Sequence, residues 1–347
     1  MYLNYYRKIN REPGKTAQEL SDEVYGIINT IEVDASDRKT TSALLSYINK
    51  VNASKFMHTI DNGDINLDEI ISYTEFRIPK ASGGYRVINA PDQKLKELQK
   101  EFANLLIKDC RVLCHNAVHS YVKKRNTLTA LKAHQERGNK YFLKVDISRF
   151  FDSISVNMLC NALDNIVNTK YISNIIRNNT DIQKILFLNG VLPQGSPASP
   201  ILSNLVLQEF DTKFNQYCWN RSITYTRYAD DLIISCRHGF VFSEILDIIN
   251  ELLPDGLVIN REKVRYGSCY GSNWNLGLMY NKNLDVTVGA EQKHKIQCAY
   301  HNLYRDKPED FNARLASLKG LFNYYRYIEP EYFDRLAIKL QNKGYEI

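Results

Sequence analysis

Three aspartates are the residues of this 347-residue chain whose types and spacing could do chemistry. Asp230 and Asp231 are adjacent, between the apolar runs 223–228 and 232–236, and Asp146 lies near the end of a third such run, 141–147. On a regular strand, neighbouring side chains point to opposite faces, so two adjacent aspartates share a site only where a tight turn brings them together. Asp146, on a separate strand, supplies a third carboxylate. With no Lys or Arg expected among them, three converging carboxylates repel one another unless divalent cations neutralise them. Hard oxygen donors of this kind suit Mg²⁺, which keeps some of its waters and takes other ligands from substrate phosphates. An isolated Asp-Asp pair is otherwise an ordinary turn, so the assignment depends on the surrounding elements.

Those elements alternate in type. Residues 1–72 carry apolar positions at helical spacing, such as Leu20, Val24, Ile27 and Ile31, and read as a helical extension. Phe76 to Ile88 reads as a hairpin around Ser-Gly-Gly, with Lys80 and Arg86 in its arms. Leu95, Leu98, Phe102 and Leu105 predict a helix after Pro91. Helix is expected over about 156–188 and again from Ile201 to Phe214, on either side of a Gly/Pro loop, 190–200. The runs 223–228 and 232–236 read as a hairpin with acids at its tip. A helix over 241–253, a strand-turn signal at Trp274–Tyr280 and an aromatic-rich helical end complete the chain.

Charge is unevenly placed. The chain has 45 basic and 39 acidic residues, a formal +6. Residues 77–149 alone hold 16 basic and 6 acidic groups, the footprint of a polyanion-binding surface. At 44% hydrophobic and 24% charged, the composition is that of a soluble globular protein. No run approaches a membrane span and the amino terminus lacks a signal-peptide core, so a cytoplasmic location and no membrane partner are expected. Seven irregularly spaced cysteines predict reduced thiols. Cys110, Cys114 and His115 lack the second pair a zinc site needs, and His119 and His134 have no partner visible in the sequence.

Three segments, Phe142-Leu-Lys-Val-Asp-Ile-Ser-Arg-Phe-Phe-Asp152, Leu192-Pro-Gln-Gly-Ser-Pro-Ala-Ser-Pro-Ile-Leu-Ser-Asn204 and Arg227-Tyr-Ala-Asp-Asp231, occur in the order and spacing of reverse transcriptase motifs. The chain resembles the bacterial branch that includes retron, abortive-infection and group II intron polymerases. The resemblance runs from about Phe76 to Tyr332 and implies an α+β right-hand polymerase. Fingers and a palm with an antiparallel sheet would occupy 73–290, and a helical thumb 291–347.

The resemblance also implies roles. Asp146, Asp230 and Asp231 would hold two Mg²⁺ ions, with the Ile147 backbone carbonyl as a further ligand. Lys80 and Arg86 would clamp the triphosphate of the dNTP. Phe151 would exclude a 2′-hydroxyl, Gln194 and Gly195 would contact the nucleotide, and Lys263 would protonate the departing pyrophosphate. Trp274, Leu276 and Gly277 would grip the primer. Lys94, Lys96, Lys100, Lys123, Lys124 and Arg125 would hold template phosphates, while thumb core is expected for most of Tyr324, Tyr325 and Tyr327.

Retron polymerases carry Asn-Ala-x-x-His before the first catalytic Asp and Val-Thr-Gly at a later strand turn. Here Thr129-Ala-Leu-Lys-Ala-His134 and Asn275-Leu-Gly277 stand in those places, which argues against a self-primed branched product. No RNase H, maturase or endonuclease domain is expected after the thumb, which disfavours a mobile intron. An RNA-directed DNA polymerase is therefore expected, copying a small non-coding RNA in anti-phage defence, with an accessory defence protein or a second polymerase subunit as a further partner. The alternatives are a template-independent or protein-primed DNA polymerase and a catalytically idle nucleic-acid-binding subunit.

Overall fold

The computed structural model describes residues 56–57, 67–80, 83–109, 114–166, 169–268 and 276–347. Most of the expected extension, together with Cys110, Trp274 and Asn275, lies outside them. Apart from short helical turns at Leu67–Ile70, Leu105–Asp109 and Phe150–Ser153, the main elements begin with β1 (Tyr73–Pro79), β2 (Tyr85–Pro91), α1 (Gln93–Asn104), α2 (Thr127–Gln135), β3 (Tyr141–Asp146), α3 (Val156–Asn165), α4 (Lys170–Asn178), α5 (Thr180–Leu186) and α6 (Ser199–Val206). There follow α7 (Gln208–Trp219), β4 (Thr224–Tyr228), β5 (Asp231–Cys236), α8 (Phe242–Leu252), β6 (Arg265–Ser268), β7 (Met279–Tyr280), β8 (Val286–Thr287), α9 (Ala290–Asp306), α10 (Phe311–Ile328) and α11 (Pro330–Gln341).

Contacts divide the chain into two units. One comprises the described part of Met1–His115 with Ser148–Lys213 and Leu252–Val258; the other comprises Asn116–Ile147, Phe214–Glu251 and the described part of Ile259–Ile347.

In the first unit, β1 and β2 form an antiparallel hairpin with Ile78 opposite Arg86. Gly83 and Gly84 turn it with φ of 89° and 75°, conformations that only glycine adopts cheaply. α1 buries Leu95, Leu98 and Phe102 at three- and four-residue steps and leaves Lys94, Lys96 and Lys100 exposed. The stretch 156–188 is three helices, not one. Ser155 caps α3 by accepting from the Met158 amide, and Asn179 accepts from the Asp181 and Ile182 amides, so the chain restarts a helix where continuity was expected. Likewise the helix expected from Ile201 to Phe214 is broken at Leu207 into α6 and α7.

The second unit is built on a four-stranded antiparallel sheet in the order β4-β5-β3-β6. The Val-, Ile- and Leu-rich strands β3 and β5 bury Leu143, Val145, Leu232 and Ile234 on one face. Phe142 and Ile233, on the other face, join a core with Leu131, Tyr280, Tyr300, Phe322 and Phe333, so the C-terminal helices share one hydrophobic cluster with the sheet and α2.

A buried polar group also lies on that face. His134 in α2 bonds Ser235 Oγ at 2.5 Å through Nδ1 and Thr226 Oγ1 at 2.8 Å through Nε2. Asn139 Nδ2 donates to Thr224 Oγ1 and Ser235 Oγ, each at 2.7 Å. His119 Nδ1 meets Thr129 Oγ1 at 2.8 Å. Both histidines thus have partners that the sequence did not reveal. Among the described residues, Cys114, Cys160, Cys218, Cys236 and Cys298 form no disulfide, and no helix is long and apolar enough to cross a membrane.

Candidate active site

The sheet register sets the positions of the aspartates. Asp146, the last residue of β3, is the Cα partner of Asp231, the first of β5. Asp231 also pairs with Tyr228 of β4, so the turn between β4 and β5 is only Ala229-Asp230. Asp231 therefore belongs to the strand, while Asp230 alone sits in the turn. Ala229 has φ 56°, a left-handed conformation costing a non-glycine residue roughly 1–2 kcal/mol. Two contacts offset that strain: Ser120 Oγ accepts from the Ala229 amide at 2.7 Å, and buried Arg227 donates to the Ala229 carbonyl at 3.1 Å. Ile147 donates its amide to the Asp230 carbonyl at 3.0 Å, tying the end of β3 to the turn.

Two lysines enter this group, contrary to the expectation of acids alone. Lys263 Nζ lies 3.0 Å from each carboxylate oxygen of Asp146. Lys144 Nζ lies 2.9 Å from Asp231 Oδ1. Among the described residues, no three acidic, histidine or cysteine side chains form a ready metal cage. The physical reason is strand parity: Lys144, two residues before Asp146, shares its face and is the diagonal neighbour of Asp231. That signal is readable in Lys144-Val-Asp146.

Electrostatics still favour a cation. Burial, then the charges of Asp231 and Asp146, push the Asp230 carboxyl up to about 6. Burial also raises Asp231, against the lowering effect of Lys144. A cluster of hard oxygen donors that resists its own ionisation fits a divalent ion, which would restore the charged form.

The other expected site residues stand as follows. Lys80 closes the β1–β2 turn by donating its amide to Gly84, and its side chain and that of Arg86 are exposed. Phe150 is buried and Phe151 half-buried, their rings 5.4 Å apart. The Gln194 carbonyl accepts from the Asn89 amide of β2 at 2.7 Å. Gly195 has φ 133°, and a Cβ there would lie 2.4 Å from the Asn89 carbonyl oxygen. The glycine is thus explained by the close passage of β2, a partner the sequence did not show. Lys123 and Lys124 are exposed, whereas Arg125 donates to the Val118 carbonyl at 2.7 Å and to Asn116 Oδ1 at 3.1 Å.

Leu276 packs on the core cluster and Gly277 is exposed with φ 77°, just before β7. Tyr324 and Tyr327 are exposed, correcting the expectation of thumb core; their hydroxyls meet Thr127 Oγ1 and Asn126 Nδ2. Tyr325 does pack against the cluster.

With this geometry established, comparison with known proteins decides the family. The family described as reverse transcriptase (RNA-dependent DNA polymerase) matches residues 78–298, more than half of the chain. The chain belongs to the reverse transcriptase family. Its relatives include the retron Ec83 reverse transcriptase of Escherichia coli, 29% identical over 277 residues, covering 77% of this chain and 86% of the relative. The retron Ec73 reverse transcriptase of the same organism is 31% identical over 278 residues, covering 76% and 85%. Among solved structures, apo telomerase from Candida tropicalis is similar at 17% identity and TM-score 0.47, over 73% of this chain and 52% of that one. This reverse transcriptase is of the retron type, an RNA-directed DNA polymerase, and the family generally uses divalent metal ions.

Proposed function

We propose that this reverse transcriptase copies a dedicated small non-coding RNA into DNA, using dNTPs and two Mg²⁺ ions. The observation that carries the reading is the facing of Asp146 and Asp231 across the last rung of β3 and β5, with Asp230 in the adjoining turn. Asp146, Asp230 and Asp231, with the Ile147 carbonyl, would hold the ions. When bound, the ions activate the primer hydroxyl and neutralise the leaving pyrophosphate.

The chain's own residues do the rest. Lys263, paired with Asp146, is a charged donor suited to protonating the departing pyrophosphate. Lys80 and Arg86 are exposed cations suited to the β/γ and α phosphates, a point charge and a fork respectively. Phe151 excludes a 2′-hydroxyl, Gln194 and Gly195 border the nucleotide, and Trp274, Leu276 and Gly277 hold the primer. Lys94, Lys96, Lys100, Lys123 and Lys124 hold template phosphates without reading sequence; Arg125 shares that role while bracing its own loop. The fingers and palm would span 73–290, with the thumb at 291–347.

Relatives named as retron reverse transcriptases support a dedicated RNA. The role in anti-phage defence, the cytoplasmic location and an accessory defence protein or second polymerase subunit follow by analogy with the family. The test is to sequence the DNA made by purified protein with and without its co-purified RNA. DNA whose sequence depends on that RNA is the expected result. RNA-independent sequence would overturn the reading in favour of untemplated or protein-primed synthesis.

A further inference from the structure

The sheet that carries the aspartates has a second end. β5 finishes at Cys236, the register partner of Tyr141, where β3 begins. Five residue steps separate that end from Asp231, roughly 17 Å at about 3.3–3.4 Å per residue. A cavity of about 690 Å³ opens there, lined by Arg137, Tyr217, Arg221, Arg237, His238 and Phe240 among others. Its size falls within the ~300–1,000 Å³ of small-molecule sites, enough for a nucleotide.

The lining is basic and aromatic together. Arg137, Arg221, Arg237 and His238 are set against a single acid, Glu244. The three arginines are exposed, and none forms an ion pair among the described residues. The Arg221 guanidinium lies 3.9 Å from the Tyr217 ring centre, and that of Arg137 lies 4.6 Å from the Trp219 ring, whose residue is 64% exposed. An inorganic anion would need no exposed indole, and an apolar peptide would leave three cations without an anionic partner. A nucleic-acid strand uses both: guanidinium forks meet phosphates, while rings and guanidinium planes stack on unpaired bases. The two Arg-aromatic stacks, one of them bearing an outward-facing tryptophan, suit a strand that continues past the cavity better than a single enclosed nucleotide.

We propose that this end of the sheet is a second RNA site, taking a single-stranded segment of RNA away from the catalytic aspartates. The choice of RNA rests on the function proposed above. A strand held there stays attached to the protein while another part of the same molecule is copied.

The test uses full-length protein and a labelled single-stranded RNA of about 20 nucleotides carrying 4-thiouridine, longer than the ~4–16 nucleotides of a single site. Ultraviolet cross-links are expected on the peptide holding Tyr217, Trp219 and Arg221. The triple variant Arg137→Gln, Arg221→Gln, Arg237→Gln should keep its melting temperature and lose those cross-links. Its slope of log Kd against log salt should be shallower by about 2, at ~0.7 per phosphate contact on a single strand. Should the triple variant fail to fold, Arg237→Glu alone should reduce the same cross-links. Asp230→Asn should retain them while stopping primer extension.

Cross-links that persist in a folded triple variant, that are missing from RNA-bound unmodified protein, or that AMP alone competes away would overturn the proposal. Failure of the unmodified protein to extend a primer would count against the polymerase assignment instead, leaving the cross-links to decide this site.

Discussion

Lys144 reaches diagonally across the sheet to Asp231, its Nζ 2.9 Å from Oδ1, while Asp146 faces Asp231 directly on the neighbouring strand. A cation of the chain and a carboxylate of the same site are thus built into one strand pair. Both side chains are about four-fifths buried, so the pair is screened less than a surface ion pair.

Lys144→Met should leave Asp231 without its partner and cost about 1–3 kcal/mol of stability. Thermal unfolding with and without Mg²⁺ checks this. The deficit should shrink when Mg²⁺ is added, because an ion at the proposed site would replace the missing charge; a deficit indifferent to Mg²⁺ would separate Lys144 from that proposed site.

Replacing Asp230 and Asp231 together by Asn should stop nucleotide incorporation, a loss of about a thousandfold or more on the scale of electrostatic catalysis. The fold should survive, since the change removes two buried carboxylate charges and their mutual repulsion, against the loss of the Lys144–Asp231 pair. Primer extension paired with circular dichroism reads both effects, and a double variant with normal activity would remove the catalytic assignment.

Gly195→Ala would place a Cβ 2.4 Å from the Asn89 carbonyl oxygen on a backbone with φ 133°. Backbone does not yield as a flexible side chain does, so a loss of roughly 1–3 kcal/mol is expected in urea unfolding. An unchanged midpoint would mean that β2 can move aside.

Phe151→Ala should let ribonucleotides in. Phe151 is half-buried where Phe150 is buried, so it can lose its ring at a smaller cost in packing. Competition between dNTP and rNTP in primer extension should show the deoxy preference falling by about tenfold, or 1.4 kcal/mol. Unchanged discrimination would take the steric role away from this ring.

Burial lowers His134 to about 3, from an ordinary value near 6.5. The folded state then refuses a proton that the unfolded state accepts below pH 6.5. The stability this histidine contributes is full above that pH and falls as the pH drops toward 3, by up to about 1.4 kcal/mol per unit, while the raised Asp230 acts in the opposite sense. Urea midpoints at pH 7.5 and 5 should differ accordingly. His134→Gln should flatten the dependence, and an equally steep profile in that variant would place its origin elsewhere.

What the sequence disclosed was local. The β4–β5 hairpin, the β1–β2 turn and the apolar steps of α1 follow from neighbouring residues, and the place of Asp230 in its turn was visible for the same reason, though Asp231 belongs to the strand. The hidden features join distant parts of the chain. His134 finds Ser235 and Thr226 at separations of 101 and 92 residues, and no local pattern announces such partners. Gly195 answers to Asn89 in another element, so its loop sequence alone suggested a nucleotide as the neighbour. Two misses were legible in principle: the Asn179 cap that divides α4 from α5, and the shared parity of Lys144 and Asp146.

The ring of His134 touches one hydroxyl on β4 and another on β5, both on the face that carries Asp231. It works as a ratchet pawl across two strands. Side chains alternate with a period of two, so a slip of β5 by one residue would turn Asp231 to the opposite face, among Leu143 and Val145, and present Leu232 in its place. A slip of that kind also strands an imidazole nitrogen in a dry interior. The alignment of the aspartates is thereby guarded from the far end of the sheet, by a residue that touches none of them.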